Sequence, residues 1–158
     1  MNFAHPVPSY ADQPITSGLR FGVTRTTTDP PHIHKGVDLA WGYTGTPVTA
    51  AAPGTVIVAS TITGLGGPGL ITIDHGDGWS TRYLHLAANP PVAVGDQVAS
   101  GQTIGEIANL ASGPHVHFEV LQNGVAIDPE TILGAAVGGG LLLAAVIAGL
   151  AYWYWRKR

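Results

Sequence analysis

The chain has 158 residues, room for one globular domain and one appendage, and its formal charge of −3 forms no basic stripe, which argues against a nucleic-acid partner. It has no cysteine, so a thiolate-based structural zinc site is excluded, while the redox compartment stays open. Glycine, at 22 residues, is about twice its usual share, and with 12 prolines it suits short strands joined by tight turns.

Met1 to Pro8 has no basic segment followed by an apolar run and does not read as a secretory leader. Residues 1–13 read as an irregular lead-in, and the Pro-, Thr- and Gly-rich stretch 3–31 as an irregular approach to the domain. Val37 to Leu39 is expected to be a short strand, followed by a turn around Gly42 to Gly45. Pro47 to Ala50 and Gly54 to Ala59 read as strands split by the Ala52-Pro-Gly54 turn. Leu70 to Asp74 is another, and His75-Gly-Asp-Gly78 is a strong hairpin signal because Asp-Gly tolerates positive φ. Trp79 to Leu86 is its partner. Gly95-Asp-Gln-Val98 and Gly101 to Gly105 mark turns, and His115 to Leu121 is a last long strand before Gln122-Asn-Gly124. The expected fold is therefore all-β, a compact antiparallel sandwich or barrel-like domain over 1–131.

After the link Asp128 to Leu133 the composition changes. From Ile132 to Trp155 no residue is charged. About 20 apolar residues suffice to cross a hydrocarbon core ~30 Å thick. Tyr152, Trp153, Tyr154 and Trp155 form an aromatic belt, and Arg156-Lys-Arg158 a basic stop. A single transmembrane helix over 132–155, with the lipid bilayer as its partner and a basic tail at 156–158, is expected. Gly134 and Gly138 have the small-xxx-small spacing that brings two such helices together, a weak signal for a homodimer.

Three strings carry the chemistry: His34-Lys-Gly-Val-Asp38, Tyr83-Leu-His85-Leu86 and His115-Val-His117. On a strand His115 and His117 share one face while Val116, Phe118 and Val120 face the core; one imidazole can bind a metal while the other reaches its water. Taken alone, such a pair is as readily solvent-facing. Fully extended, His34 and Asp38 would stand about 13 Å apart, too far to share an ion, so the chain must bend between them, which Gly36 permits. Alternation places Thr81, Tyr83 and His85 on one face and Leu84 and Leu86 on the other. No His-Glu-x-x-His helix exists to supply a glutamate base, so histidines are the natural replacements.

At this length the strings resemble the lysostaphin-type (LytM-type) zinc metallopeptidases. The matching pieces occur in that family's order: Ile15-Thr-Ser-Gly18, His34-Lys-Gly-Val-Asp-Leu-Ala40, Gly45-Thr-Pro-Val-Thr-Ala50, Gly54-Thr-Val56 and Ile73-Asp-His-Gly-Asp-Gly78. They continue with Thr81-Arg-Tyr-Leu-His-Leu86, Val94-Gly-Asp-Gln-Val98, Gly101-Gln-Thr-Ile-Gly105, Gly113-Pro-His-Val-His-Phe-Glu119 and Asn123-Gly124, so that the resemblance spans roughly 14–133. It implies that His34, Asp38 and His117 bind one Zn2+ per chain, with water in the open position. It further implies that His115, as the likelier base, and His85 act on that water and the developing oxyanion. The implied substrate is a peptide of bacterial peptidoglycan. Tyr83 is expected to line the groove, and the resemblance makes Glu119 a structural acid rather than a rival ligand. His32, His75 and His5 are left out of the site. Glu106 to Ser112 replaces a longer glycine-rich loop of the family, which leaves peptide specificity open.

Two other functions compete. A non-catalytic wall-binding or regulatory member of the same fold is the first, opposed by the presence of all five site residues. A biotinyl- or lipoyl-type carrier hairpin at Val94 to Gly105 is the second, and it fails because the only lysines are Lys35 and Lys157. The basic tail favours a domain facing the wall, at the cell surface or in the periplasm. A leaderless chain with a C-terminal anchor suggests instead a bacteriophage enzyme carried in a virion membrane for entry or release.

Overall fold

Alternating apolar residues at Val116, Phe118 and Val120 seed the central strand of the domain. In the computed structural model, which describes residues 1–15, 19–26, 30–40, 42–61 and 68–133, this strand is β10 (Val116–Gln122). The other strands are β1 (Thr24–Arg25), β2 (His32–Ile33), β3 (Val37–Leu39), β4 (Pro47–Thr49), β5 (Gly54–Ser60), β6 (Leu70–Gly76), β7 (Trp79–Leu84), β8 (Gln97–Val98), β9 (Thr103–Glu106) and β11 (Val125–Ile127). The main sheet runs β11-β10-β7-β6-β5-β8; β3 and β11 share one edge of β10, against its start and its end. β1–β2 and β4–β9 form two small sheets. Every pairing is antiparallel, so the all-β expectation holds.

The register explains the core. Phe118 stands opposite Tyr83 on β7 and Val37 on β3, and Val120 stands opposite Thr81. Directly opposed residues share a face, and Val37, Thr81, Tyr83, Phe118 and Val120 are all fully buried. Each apolar side chain so buried contributes about 1.5–3 kcal/mol. The alternate residues of β7 and β10, Arg82 with Glu119 and Leu84 with His117, face the other way.

Tyr83 therefore belongs to the core and does not line a groove, as its place beside His85 had suggested. Its ring packs 5.3 Å from that of Phe118, and its hydroxyl accepts from the Ala51 backbone N–H at 2.8 Å. Thr81 Oγ1 lies 2.9 Å from the same hydroxyl and 2.8 Å from His75 Nε2, while His75 Nδ1–H donates to the Pro53 carbonyl at 2.8 Å. Burial pushes the Tyr83 phenol up to about 12.

The lead-in also differs from its expected form. Phe3 and Val7 are buried in the core, the Ala4 N–H donates to the Ala51 carbonyl at 2.7 Å, and the Thr49 N–H donates to the Pro6 carbonyl at 2.8 Å. Pro6 and Pro8 lack N–H groups, so this segment lies along β4 without completing a ladder. Asp77 and Gly78 (φ 50° and 76°) make the expected β6–β7 hairpin. Asn123 and Gly124 (φ 50° and 78°) make a second, which adds β11 beyond the strand expected to be last. The stretches read as turns at 95–105 carry β8 and β9.

Asp128 accepts the Glu130 N–H at 3.0 Å, Pro129 follows it, and the chain turns helical at 129–133. Ile132 and Leu133, expected to begin the transmembrane helix, pack against the domain core. The rest of that segment, the Gly134/Gly138 dimer motif and the 156–158 tail lie outside the described residues. Among the described residues no helix is long and apolar enough to cross a membrane.

Candidate metal centre

The antiparallel register of β3 and β10 puts Asp38 directly opposite His117 on the face away from the core. His34 joins them from the chain just ahead of β3. The bend between His34 and Asp38 passes Gly36, whose backbone lies tight against β10. A Cβ there would stand 2.2 Å from the Phe118 carbonyl oxygen and 3.0 Å from Glu119 Cγ. Glycine is thus required by close approach, a stronger demand than flexibility alone.

Three atoms converge. His34 Nε2, Asp38 Oδ1 and His117 Nδ1 lie 3.0, 2.9 and 2.8 Å from one another, taken as His34–Asp38, His34–His117 and His117–Asp38. All three residues are buried, and among the described residues they form the one cluster of ligand type. Tetrahedral zinc with bonds near 2.0–2.1 Å would space its ligand atoms about 3.3 Å apart. The triangle is close to that size.

Hydrogen bonds on the far side of each ring set the tautomers. His34 Nδ1–H donates to the Arg20 carbonyl at 2.7 Å, leaving the Nε2 lone pair toward the triangle. His117 Nε2–H donates to Glu119 Oε1 at 3.1 Å, and Arg82 donates to Glu119 Oε2 at 2.9 Å. Outer partners of this kind orient metal-binding imidazoles. One proton on His117 Nδ1 can serve only one of the converging contacts, so the others are acceptor against acceptor. A cation at the centre relieves them, and the donor set of two imidazoles and one carboxylate suits zinc.

The electrostatics agree. Burial alone would raise the Asp38 carboxyl, but hydrogen bonds and charge from His117 and His34 outweigh it and hold Asp38 well below the usual carboxylate range. Burial alone would lower His117; its bonds to Asp38 and Glu119 win and raise it. Glu119, which burial would also raise, is lowered by His117 and Arg82. A metal held by these residues would have to displace the His117 Nδ1 proton, so its affinity would rise with pH.

His85 and His115 form a second group. Their ring centroids are 4.7 Å apart, and His85 lies 6.2 Å from His117. His115 precedes β10, and its Nδ1–H donates to the Gly113 carbonyl at 3.0 Å, leaving Nε2 unprotonated. His85 comes after the end of β7 and has φ 68°, so it reaches the site by leaving the strand rather than by alternation. A non-glycine residue in that region is strained, by of order 1–3 kcal/mol. Its Nδ1 is buried without a hydrogen-bond partner among the described residues. Burial first, then the neighbouring His115 and His117, push the His85 pKa down to about 4.

The stretch read as an irregular approach supplies much of the frame. Residues 20–25 run beside His34: the His34 N–H donates to the Val23 carbonyl at 2.9 Å, and the Gly22 N–H to the His34 carbonyl at 2.9 Å. The Arg25 guanidinium donates to Asp38 Oδ2. Arg20, Arg25 and Arg82 had no motif to mark them; only their pairing partners, far away in sequence, reveal them. Of the histidines left out, His32 is exposed, while His75 and His5 are held by structural hydrogen bonds.

Comparison with known proteins places this geometry. A family model, Peptidase family M23, matches residues 32–129. The peptidoglycan DD-endopeptidase ShyC of Vibrio cholerae is 37% identical over 101 residues, 63% of this chain but 22% of that protein. The chain thus spans about a fifth of the length of that relative. The SpoIIQ–SpoIIIAH pore-forming complex superposes with a TM-score of 0.68 at 29% identity, over 83% of this chain and 90% of that one. The catalytic domain of the antimicrobial peptidase lysostaphin from Staphylococcus simulans gives 0.65 at 28% identity, over 80% and 96%.

Proposed function

We propose, from the premise that this chain belongs to peptidase family M23, that it is a zinc endopeptidase cutting stem or cross-bridge peptides of bacterial peptidoglycan. The observation that carries the reading is the pairing of two histidine groups. One is a triangle of ligand atoms 2.8–3.0 Å apart with fixed tautomers. The other is a pair of rings 4.7 Å apart beside it, with unspent hydrogen-bonding capacity.

In this mechanism His34, Asp38 and His117 would hold the zinc. When bound, zinc supplies Lewis acidity, lowering the pKa of water and polarising the scissile carbonyl. His115 takes the proton from the attacking water at Nε2, because its Nδ1 is committed to the Gly113 carbonyl. His85, with its pKa near 4, stays neutral at physiological pH and donates a ring N–H to the oxyanion as charge develops. Burial of the ligands keeps competing water away and strengthens each of these contacts.

A non-catalytic, regulatory role is the second reading, and the fold neighbour SpoIIQ supports it, since that protein is seen in a pore-forming complex with SpoIIIAH. The complete set of five site residues favours the enzyme. Digestion of purified peptidoglycan by the zinc-loaded chain, with mass analysis of released fragments, decides between them. Fragments carrying one new amine and one new carboxylate, at a Gly–Gly or D-Ala-linked bond, are expected; no release from any wall type defeats the enzyme reading.

The proposal extends to location. Residues 134–155 carry no charge and end in Tyr152 to Trp155 ahead of Arg156-Lys-Arg158, which suits a bilayer anchor holding the domain next to a wall. A bacterial surface and a virion membrane both provide that setting. Flotation with lipid vesicles, lost on deleting 134–158, is the expected result.

A further inference from the structure

Asp38 uses its two oxygens differently. Oδ1 sits in the triangle, 3.0 Å from His34 Nε2 and 2.8 Å from His117 Nδ1. Oδ2 accepts the guanidinium of Arg25, whose side chain is 24% exposed against 11% for Asp38. The same Arg25 nitrogen lies 3.3 and 3.1 Å from Nδ1 and Nε2 of His34. A nitrogen almost equidistant from both ring nitrogens cannot lie in the ring plane without striking Cε1. It therefore sits over the imidazole face, as cations do on aromatic rings, and leaves the Nε2 lone pair aimed at the triangle.

The placement of Arg25 is built into the fold. β1 pairs with β2 with Arg25 opposite His32, and the adjoining backbone bonds through Gly22 and Val23 tie this strand to His34 itself. The arginine is therefore referenced to one ligand and bonded to another.

We infer that Arg25 is a positioning residue that holds Asp38 Oδ2 off the metal, so that the carboxylate binds through Oδ1 alone and the fourth position remains open to water. The inference rests on His34, Asp38 and His117 being the ligands. A carboxylate with both oxygens unencumbered can chelate an ion, which would consume the position hydrolysis needs. A guanidinium on Oδ2 prevents this. It acts through the ligand and need not touch substrate.

The test uses the full chain loaded with Co2+ in place of Zn2+ and read by visible absorption, which reports coordination number without turnover. Wild type is expected to show the strong bands of a four-coordinate site. Arg25→Ala is expected to show weaker bands of higher coordination, with zinc affinity, measured against a competing chelator, reduced about 10-fold. Arg25→Lys retains a cationic donor and is expected to restore most of both. Melting of the metal-free proteins monitors folding. If Arg25→Ala keeps the wild-type spectrum and affinity, or if a lowered melting point accounts for its loss and Arg25→Lys rescues nothing, the inference is overturned. Failure of wild type itself to bind either metal would instead overturn the ligand assignment.

Discussion

Two groups of histidines meet at the start of β10, and the protein treats them in opposite ways. In the His34–Asp38–His117 triangle the outward ring nitrogens and Asp38 Oδ2 each have a partner, supplied by the Arg20 carbonyl, Glu119 and Arg25, and the remaining three atoms converge on one another. In the His85–His115 pair one nitrogen is buried without a partner among the described residues, and one backbone is held at φ 68°. Both groups are near one another and each contains two imidazoles, so the histidines differ through their contacts rather than their chemistry. A group that must hold an ion gains from being locked. A group that must exchange protons needs unspent donors and acceptors, and the fold accepts local strain to keep them.

Substitutions should separate the two halves. Asp38→Ala removes one corner of the triangle, and zinc affinity should fall by more than the roughly 100-fold that a lost outer partner costs. Hydrolysis should vanish with it, measured by chelator competition alongside wall digestion. His115→Ala should do the reverse, leaving stoichiometric zinc in place while slowing cleavage roughly 10²–10⁴-fold. Loss of zinc in His115→Ala would erase the distinction between the halves.

Glu119→Gln tests whether the outer contacts set the lock. Zinc affinity near neutral pH should drop about 10–100-fold. Because Glu119 helps raise His117, the pH at which protons expel the metal should also move down. An unchanged midpoint would show that Glu119 only packs.

The smallest effect concerns stability, away from both halves. His75 is lowered from 6.5 in the folded protein, by burial first, against the opposing Pro53 carbonyl bond and Asp74 charge. The unfolded chain therefore binds more protons as pH falls through 6.5, and stability present above that pH is lost below it. His75→Gln should flatten the stability slope there by at most about 1.4 kcal/mol per pH unit, less because the ring is partly exposed. Denaturant unfolding at several pH values measures it. A slope that steepens in His75→Gln would contradict the neutral, hydrogen-bonded ring.

Much of this was legible in the chain. Alternation at 115–121 identified β10, Asp77-Gly78 and Asn123-Gly124 marked their turns, and the His-x-x-x-Asp and His-x-His strings picked out the residues that converge. Such signals survive because they depend on two-residue periodicity and on φ preferences, both set by covalent geometry within a few residues. The N-terminal stretch was less readable, because its prolines and glycines conceal a pairing whose partners lie elsewhere.

Tertiary structure decided what local spacing cannot encode. His117 meets His34 across 83 positions and Asp38 across 79. Which face of β7 lies inward depends on Phe118 sitting opposite Tyr83, with Val37 opposite Phe118 in turn, not on the alternation of β7 itself. The need for Gly36 comes from the Phe118 carbonyl, and the placement of Arg25 from the β1–β2 pairing. By itself the sequence determined which side chains were available for the chemistry. Only the packed sheet decided their tautomers, their charge states and which oxygen of Asp38 faces the centre, because those follow from distances between atoms remote along the chain.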